Sequence, residues 1–298
     1  MRRKVSLVTA LMALMVVAGL TAQQPPAAVR EDTNLKPFPP FRIVGNLYYV
    51  GMYEHASYLI TTPEGSILIN TGVPGTGKTI RANIESLGFK VSDIKILLAM
   101  HAHWDHVGDI AEMKRITGAT FMMEEKDVPV VEAGGVSDYR FPGGGKQTFE
   151  PIKVDLVLKD GDKVKLGGTE LTVLHHPGHT KGTTSFTYTV RENGKSYNVG
   201  IINMDTINDE VKLTNAPLYP NIIADFSSTF EKQLKLNPDV WVSAHAHHFN
   251  LHAIYQPGNP YDPTRWKGYR EAVLSLQKEF QDQLAKERAE QPKAPSSK

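Results

Sequence analysis

Six consecutive positions carry most of the chemistry open to this chain. His101-Ala-His103-Trp-Asp105-His106 gathers three imidazoles and a carboxylate into one short segment. Imidazole nitrogen and carboxylate oxygen are what a catalytic zinc takes, with one position left open for water. His101 and His103 alternate just past a strand end, so their rings can converge on one ion. Asp105 and His106 continue around the turn and can face a neighbouring ion. His179 sits in Pro177-Gly-His-Thr180, a sharp turn after a strand, and His245 follows directly on the apolar run Val240-Trp-Val-Ser243. A lone histidine is ordinarily structural or solvated, but four ligand-type residues within six positions are specific. Cysteine is absent. That excludes thiolate ligands, a thiol nucleophile and disulfides, and leaves histidine and carboxylate to hold a metal.

Such a site needs rigid strand ends beneath it, and the hydrophobic pattern supplies them. Short strands are predicted at Leu47–Val50, then at Ser57–Thr61 and Ser66–Asn70, the last two an antiparallel pair about Pro63-Glu-Gly65. A helix follows over Lys78–Leu87, with Ile80, Ile84 and Leu87 on one face and Gly88 as its stop. Ile94–Met100 reads as a buried strand that delivers the chain to His101, and Asp109–Ile116 as a helix ended by Gly118. The second half repeats the arrangement. Lys163–Leu166 and Glu170–Leu174 run into His175-His-Pro-Gly-His179, Thr184–Val190 and Tyr197–Ile202 make a hairpin, and residues 221–236 and 267–290 are helical. Strands and helices in both halves predict a two-sheet core with helices outside, as one domain over 41–290. The Gly-rich stretch 134–147 between the halves reads as a long mobile loop.

The flanks and the charge set the expected compartment. Arg2, Arg3 and Lys4 precede an apolar stretch from Val5 to Leu20, then Thr21, Ala22 and a Pro-rich start. This is the pattern of a cleaved export signal over 1–22. About 16 apolar residues fall short of the ~20 that a membrane span needs. Residues 23–40 read as a flexible lead-in and 291–298 as a disordered tail. The formal net charge is +1, and without the first 22 residues 30 basic residues stand against 32 acidic ones. Nothing in that balance calls for nucleic acid. A monomer is expected, exported to the periplasm, with no stable membrane insertion once the signal is gone.

A second motif competes with the first. Gly72-Val-Pro-Gly-Thr-Gly77-Lys78-Thr79 fits the phosphate-binding P-loop letter for letter, after a strand and before a helix. Three features oppose that reading. Pro74 lacks a backbone N–H for phosphate, no free strand-end aspartate remains for magnesium, and export leads away from ATP.

His-Ala-His-Trp-Asp-His and Pro-Gly-His-Thr resemble the metallo-β-lactamase superfamily, most closely its third lactamase subclass, with histidine where other subclasses use cysteine. The resemblance spans roughly 41–285, including Asn46-Leu-Tyr-Tyr-Val-Gly51, Ser57-Tyr-Leu-Ile-Thr-Thr-Pro-Glu-Gly65, Tyr219-Pro220 and Ser243-Ala-His-Ala-His-His-Phe-Asn250. It implies an α/β fold, a four-layer αββα sandwich with the metal at the rim between the sheets. It also implies two Zn2+ ions, one on His101, His103 and His179, the other on Asp105, His106 and His245. His247, His248 and His252 are then extras, while His175 and His176 support the turn. The implied reaction is hydrolysis of the β-lactam amide bond by a hydroxide held between the zincs, conferring antibiotic resistance. Asp105 would orient and relay the proton; the alternative is a lactone, thioester or other ester. Two departures stand out. Asn70 replaces a common aspartate, which weakens a supporting hydrogen bond. Thr206 and Asn208 occupy positions where serines often meet the substrate carboxylate. Those two, with Trp104, are the expected substrate contacts, and Asp205 could bridge the metals as in glyoxalase-II-like hydrolases.

Overall fold

Successive residues of a strand face opposite sides of its sheet, so a strand apolar at every position is covered on both faces. Strand β4 (Gly65–Ile69) is of this kind over its last three residues: Ile67 and Ile69 enter one buried cluster and Leu68 another. Tyr58 and Ile60 divide from Leu59 in β3 (Tyr58–Thr62), and Ile96 and Leu98 from Leu97 in β5 (Ile94–Leu98). The structure, a computed structural model, describes residues 33–208, 210–257 and 265–291. The expected signal at 1–22 and residues 292–298 of the expected tail lie outside the described residues.

The three strands are the centre of a seven-stranded sheet in sequential order. β1 (Phe41–Val44), β2 (Leu47–Tyr49), β3 and β4 pair antiparallel; β5, β6 (Thr120–Glu124) and β7 (Leu156–Leu158) continue in parallel. A second sheet orders β12-β11-β10-β9-β8: β12 (Val240–Val242), β11 (Lys195–Ile201), β10 (Thr184–Glu192), β9 (Thr169–His175) and β8 (Lys163–Leu166). Val173, Phe186, Tyr188, Val199 and Ile201 of this sheet share one core with Ile67, Ile69 and Leu98 of the first.

Helices close both outer faces. Ile80 and Ile84 of α1 (Gly77–Ser86) and Ile110 and Met113 of α3 (Ile110–Thr117) bury against Leu59, Leu68, Leu97 and Phe121. On the side of the second sheet lie α5 (Ile222–Gln233) and α6 (Tyr269–Glu290), joined through stacked Phe226 and Phe280, with Tyr269 against Trp241 of β12. Full burial of a phenylalanine side chain contributes about 1.5–3 kcal/mol. The layers are those of the αββα sandwich.

β1, β6, β7 and the short helix α4 (Val128–Glu132) go beyond the sequence reading. Three- to five-residue segments carry little periodicity, and Leu156 and Val157 of edge strand β7 stay exposed. The 134–147 stretch has a defined course: Gly135 N–H bonds Val130 O, Gly143 N–H bonds Val136 O, and Tyr139 Oη bonds His179 O.

Candidate metal centre

Strand ends from both sheets meet at one rim. Thr184 N–H donates to Met100 O at 2.7 Å, tying β10 to the end of β5 just before His101. The next turn is pinned by Asp127. Its Oδ2 accepts Ala102 N–H and Thr180 Oγ1–H, each at 2.8 Å, and its Oδ1 accepts Gly182 N–H at 2.9 Å. One buried carboxylate thereby fastens the His101–His103 loop to the His179 loop. Burial pushes its carboxyl above the usual range, while these hydrogen bonds pull the other way. Gly178 takes φ +147°, and a Cβ there would sit 2.7 Å from the Phe226 ring. His245 leaves β12 beside His55: the two form a bridge, flanked by Ala56 N–H to Ala244 O and Ala246 N–H to Glu54 O. His106 lies on α2 (Trp104–Val107), whose approach to Gly72 leaves no room for a Cβ at Gly108, 2.3 Å from Pro74 N.

Five rings converge, each with one nitrogen occupied from outside and the other turned inward. His101 Nδ1 meets Asn203 Oδ1 at 3.0 Å, while its Nε2 is buried and has no hydrogen-bond partner. His179 Nδ1 meets Thr206 O at 2.8 Å, and its Nε2 lies 3.1 Å from His103 Nδ1. On its other edge His103 Nε2 faces Asp138 Oδ2 at 3.2 Å. His106 Nδ1 is 3.4 Å from Asn70 Nδ2, and His245 Nδ1 faces Glu54 Oε1 at 3.6 Å. Inward, His106 Nε2 and His245 Nε2 stand 3.3 Å apart, and 3.3 and 3.5 Å from Asp105 Oδ2. Two ligands each 2.0–2.1 Å from one zinc at the tetrahedral angle lie about 3.3 Å apart. Metal-bound imidazoles characteristically give their second nitrogen to a carboxylate, carbonyl or amide. The donor set fits zinc, in two groups: His101, His103 and His179, and Asp105, His106 and His245.

The electrostatics agree. Burial, then the charge of neighbouring rings, holds His101 well below the ordinary histidine range. Burial lowers His179 to about 3, and lowers His106 to about 4 despite the Asp105 carboxylate beside it. Burial pushes the Asp105 carboxyl up, but the His106, His55 and His245 rings outweigh it and hold it well below the usual range. Neutral imidazoles and an ionised carboxylate are the forms that bind metal. Asp205 is the opposite case: burial pushes it up to about 8, with Asn203 Nδ2 on its Oδ1 and its Oδ2 unpartnered.

All six expected ligands are brought together. Thr206 and Asn208 are half-buried, Thr206 through its carbonyl against His179, and Trp104 packs half-buried against the helix-side core. His176 turns to Ser185, His175 to Lys181 O, His247 to Glu54 and His248 to Ser243. The P-loop pattern holds no phosphate cradle, because Gly75 and Gly77 donate their N–H groups to the Asp109 carboxylate at 2.9 and 2.5 Å. Sequence reasoning missed Glu54, His55, Asp127, Asp138 and Asn203. Only Glu54-His55 carried a signal, two adjacent polar residues just ahead of a buried strand. A separate 600 Å³ cleft on the outer face of the second sheet, lined by Lys163, Glu170, Thr187 and Asn198, includes none of the histidines.

Two facing sheets with a histidine–carboxylate cluster at their rim define a metallohydrolase scaffold. The chain belongs to the metallo-beta-lactamase superfamily, whose model matches residues 50–192. It is 46% identical to the class B3 di-zinc metallo-beta-lactamase LRA-12 from an Alaskan soil metagenome, covering 86% of this chain and 98% of that one at a TM-score of 0.82. The metallo-beta-lactamase GOB-18 from Elizabethkingia meningoseptica is 43% identical, with 86% and 95% covered and a TM-score of 0.82. A hydroxyacylglutathione hydrolase of Methylococcus capsulatus is 32% identical over 120 residues, 38% of this chain and 39% of that one. The chain spans about half the length of the curated relatives it matches.

Proposed function

We propose that this protein hydrolyses the β-lactam amide bond of penicillins, cephalosporins and carbapenems with two zinc ions. The observation that carries the reading is the set of five rings, each fixed from outside and turned inward, with the His103–His179 and His106–His245 nitrogens at tetrahedral ligand spacing. Likeness over nearly the whole length of class B3 enzymes supports it. His101, His103 and His179 would hold one ion, and Asp105, His106 and His245 the second. When bound, zinc supplies Lewis acidity toward the lactam carbonyl and lowers the pKa of water toward neutrality.

The chain's own residues do the rest. The His101, His106 and His179 rings, held below the ordinary histidine range by burial, present lone pairs to a metal. Asp105 turns Oδ2 toward the rings and keeps Oδ1 to take up and pass on a proton. The Thr206 hydroxyl and Asn208 amide donate to the substrate carboxylate, and the open part of the Trp104 ring borders the bound bicycle. The tight loops from Asp127 and Tyr139 exclude water behind the rings. Exported by its first 22 residues to the periplasm and acting as a monomer, the enzyme would destroy β-lactams there and so confer resistance.

The hydroxyacylglutathione hydrolase relatives favour a second reading, hydrolysis of a thioester or another ester at the same centre, in which Asp205 would join the metal ligands. A substrate panel separates the two. Zinc-loaded protein is expected to open a penicillin, a cephalosporin and a carbapenem and to leave a glutathione thioester and a lactone intact. Intact β-lactams beside a cleaved thioester would give the second reading.

A further inference from the structure

His55 lies outside the six expected ligands, yet it enters the same cluster. It comes from the loop between β2 and β3, is 4% exposed, and sets Nε2 3.4 Å from Asp105 Oδ2. His106 Nε2 and His245 Nε2 stand 3.3 and 3.5 Å from that same oxygen. Three ring nitrogens thus lie 3.3–3.5 Å from one carboxylate oxygen, a separation that two donors on one zinc also take, and the His55 and His245 nitrogens form one donor group with that oxygen. At 3.4 Å the contact is too long for a charge-assisted hydrogen bond, which runs about 2.7–2.9 Å. The other edge of the ring does not explain its burial, since Nδ1 is buried without a hydrogen-bond partner among the described residues. The backbone fixes the placement. The bridge between His55 and His245 sets the two rings side by side, centroids 5.1 Å apart, and Asp105 completes a three-residue donor group with them.

From this geometry we infer that His55 is a fourth protein ligand to the ion on Asp105, His106 and His245, an inference that rests on that assignment. His55, Asp105, His106 and His245 would then offer that ion four protein donors, the number zinc takes where it is retained. The group of His101, His103 and His179 would offer three. On gradual chelation the ion beside His55 leaves last.

The test is proton NMR of the dicobalt protein in H2O and D2O. Each ligating imidazole contributes one exchangeable, paramagnetically shifted ring N–H, so ligands are counted directly. Six such signals are expected, from His55, His101, His103, His106, His179 and His245. In His55→Leu, which fills the same buried space, five remain, and one cobalt leaves at a chelator concentration at least tenfold lower. Five signals in the unmodified protein overturn the inference, as does a folded His55→Leu that keeps every signal. If the variant does not fold, the count in the unmodified protein decides. Binding of fewer than two cobalt ions overturns the underlying ligand assignment, and this inference with it.

Discussion

At the scale of single residues, the outer partner of each ring sets how well its inner nitrogen can bind metal. Asn70 is the weak link. Its Oδ1 is committed to Met100 N–H at 3.0 Å, so its Nδ2, a donor, faces His106 Nδ1 at 3.4 Å. A His106 ring that offers Nε2 to a metal must carry its proton on Nδ1, where Asn70 presents no acceptor. Asn70→Asp supplies one, and about a tenfold gain in affinity of the zinc on Asp105, His106 and His245 is expected from chelator competition. Unchanged affinity would show that the amide is no handicap. The cluster of His101, His103, Asp105 and His106 was legible because these residues crowd into six positions. His179 and His245 were legible only through turn chemistry and resemblance. Asp127, Asn203 and Asp138 were not, because strand and loop pairings far apart in sequence bring them to the rings.

At the scale of elements, the strand ends act as rigid arms, and their turns fix the aim. Gly178→Ala adds a Cβ 2.7 Å from the Phe226 ring at φ +147°. It should shift His179 and weaken zinc binding by about 10–100-fold, read by equilibrium dialysis; wild-type affinity would mean that the turn relaxes without moving the ring. Lys78 makes the converse case. It is exposed on α1, and the glycine N–H groups beside it already serve Asp109. Lys78→Ala is expected to leave zinc content and hydrolysis rate unchanged, whereas lost activity would reopen the phosphate reading. Strands with runs of consecutive apolar residues, and amphipathic helices ended by glycine, were readable from the sequence. The three-residue edge strand β7 was not, since it owes its form to pairing with β6.

At the scale of the whole molecule, stability depends on pH through a buried acid away from the rings. Burial pushes Glu124, at the end of β6, up to about 7, against the Lys126 N–H bond that would lower it. A carboxyl raised on folding binds its proton more tightly in the folded state. Stability therefore falls as pH climbs from about 4.5 through 7 and is level above. Glu124→Gln keeps an acceptor for Lys126 N–H and removes that loss. It should unfold in denaturant on the order of 2 kcal/mol later than wild type at pH 8, and with little difference at pH 4.5; an equal difference at both pH values would contradict the assignment. Hydrolysis by the whole enzyme is expected to depend on its metal. The most direct test is the rate of carbapenem hydrolysis as zinc is titrated into chelator-stripped protein. The rate should rise with bound zinc from nothing to full turnover and vanish again with chelator, whereas turnover by the stripped protein, or none with both ions bound, would contradict it.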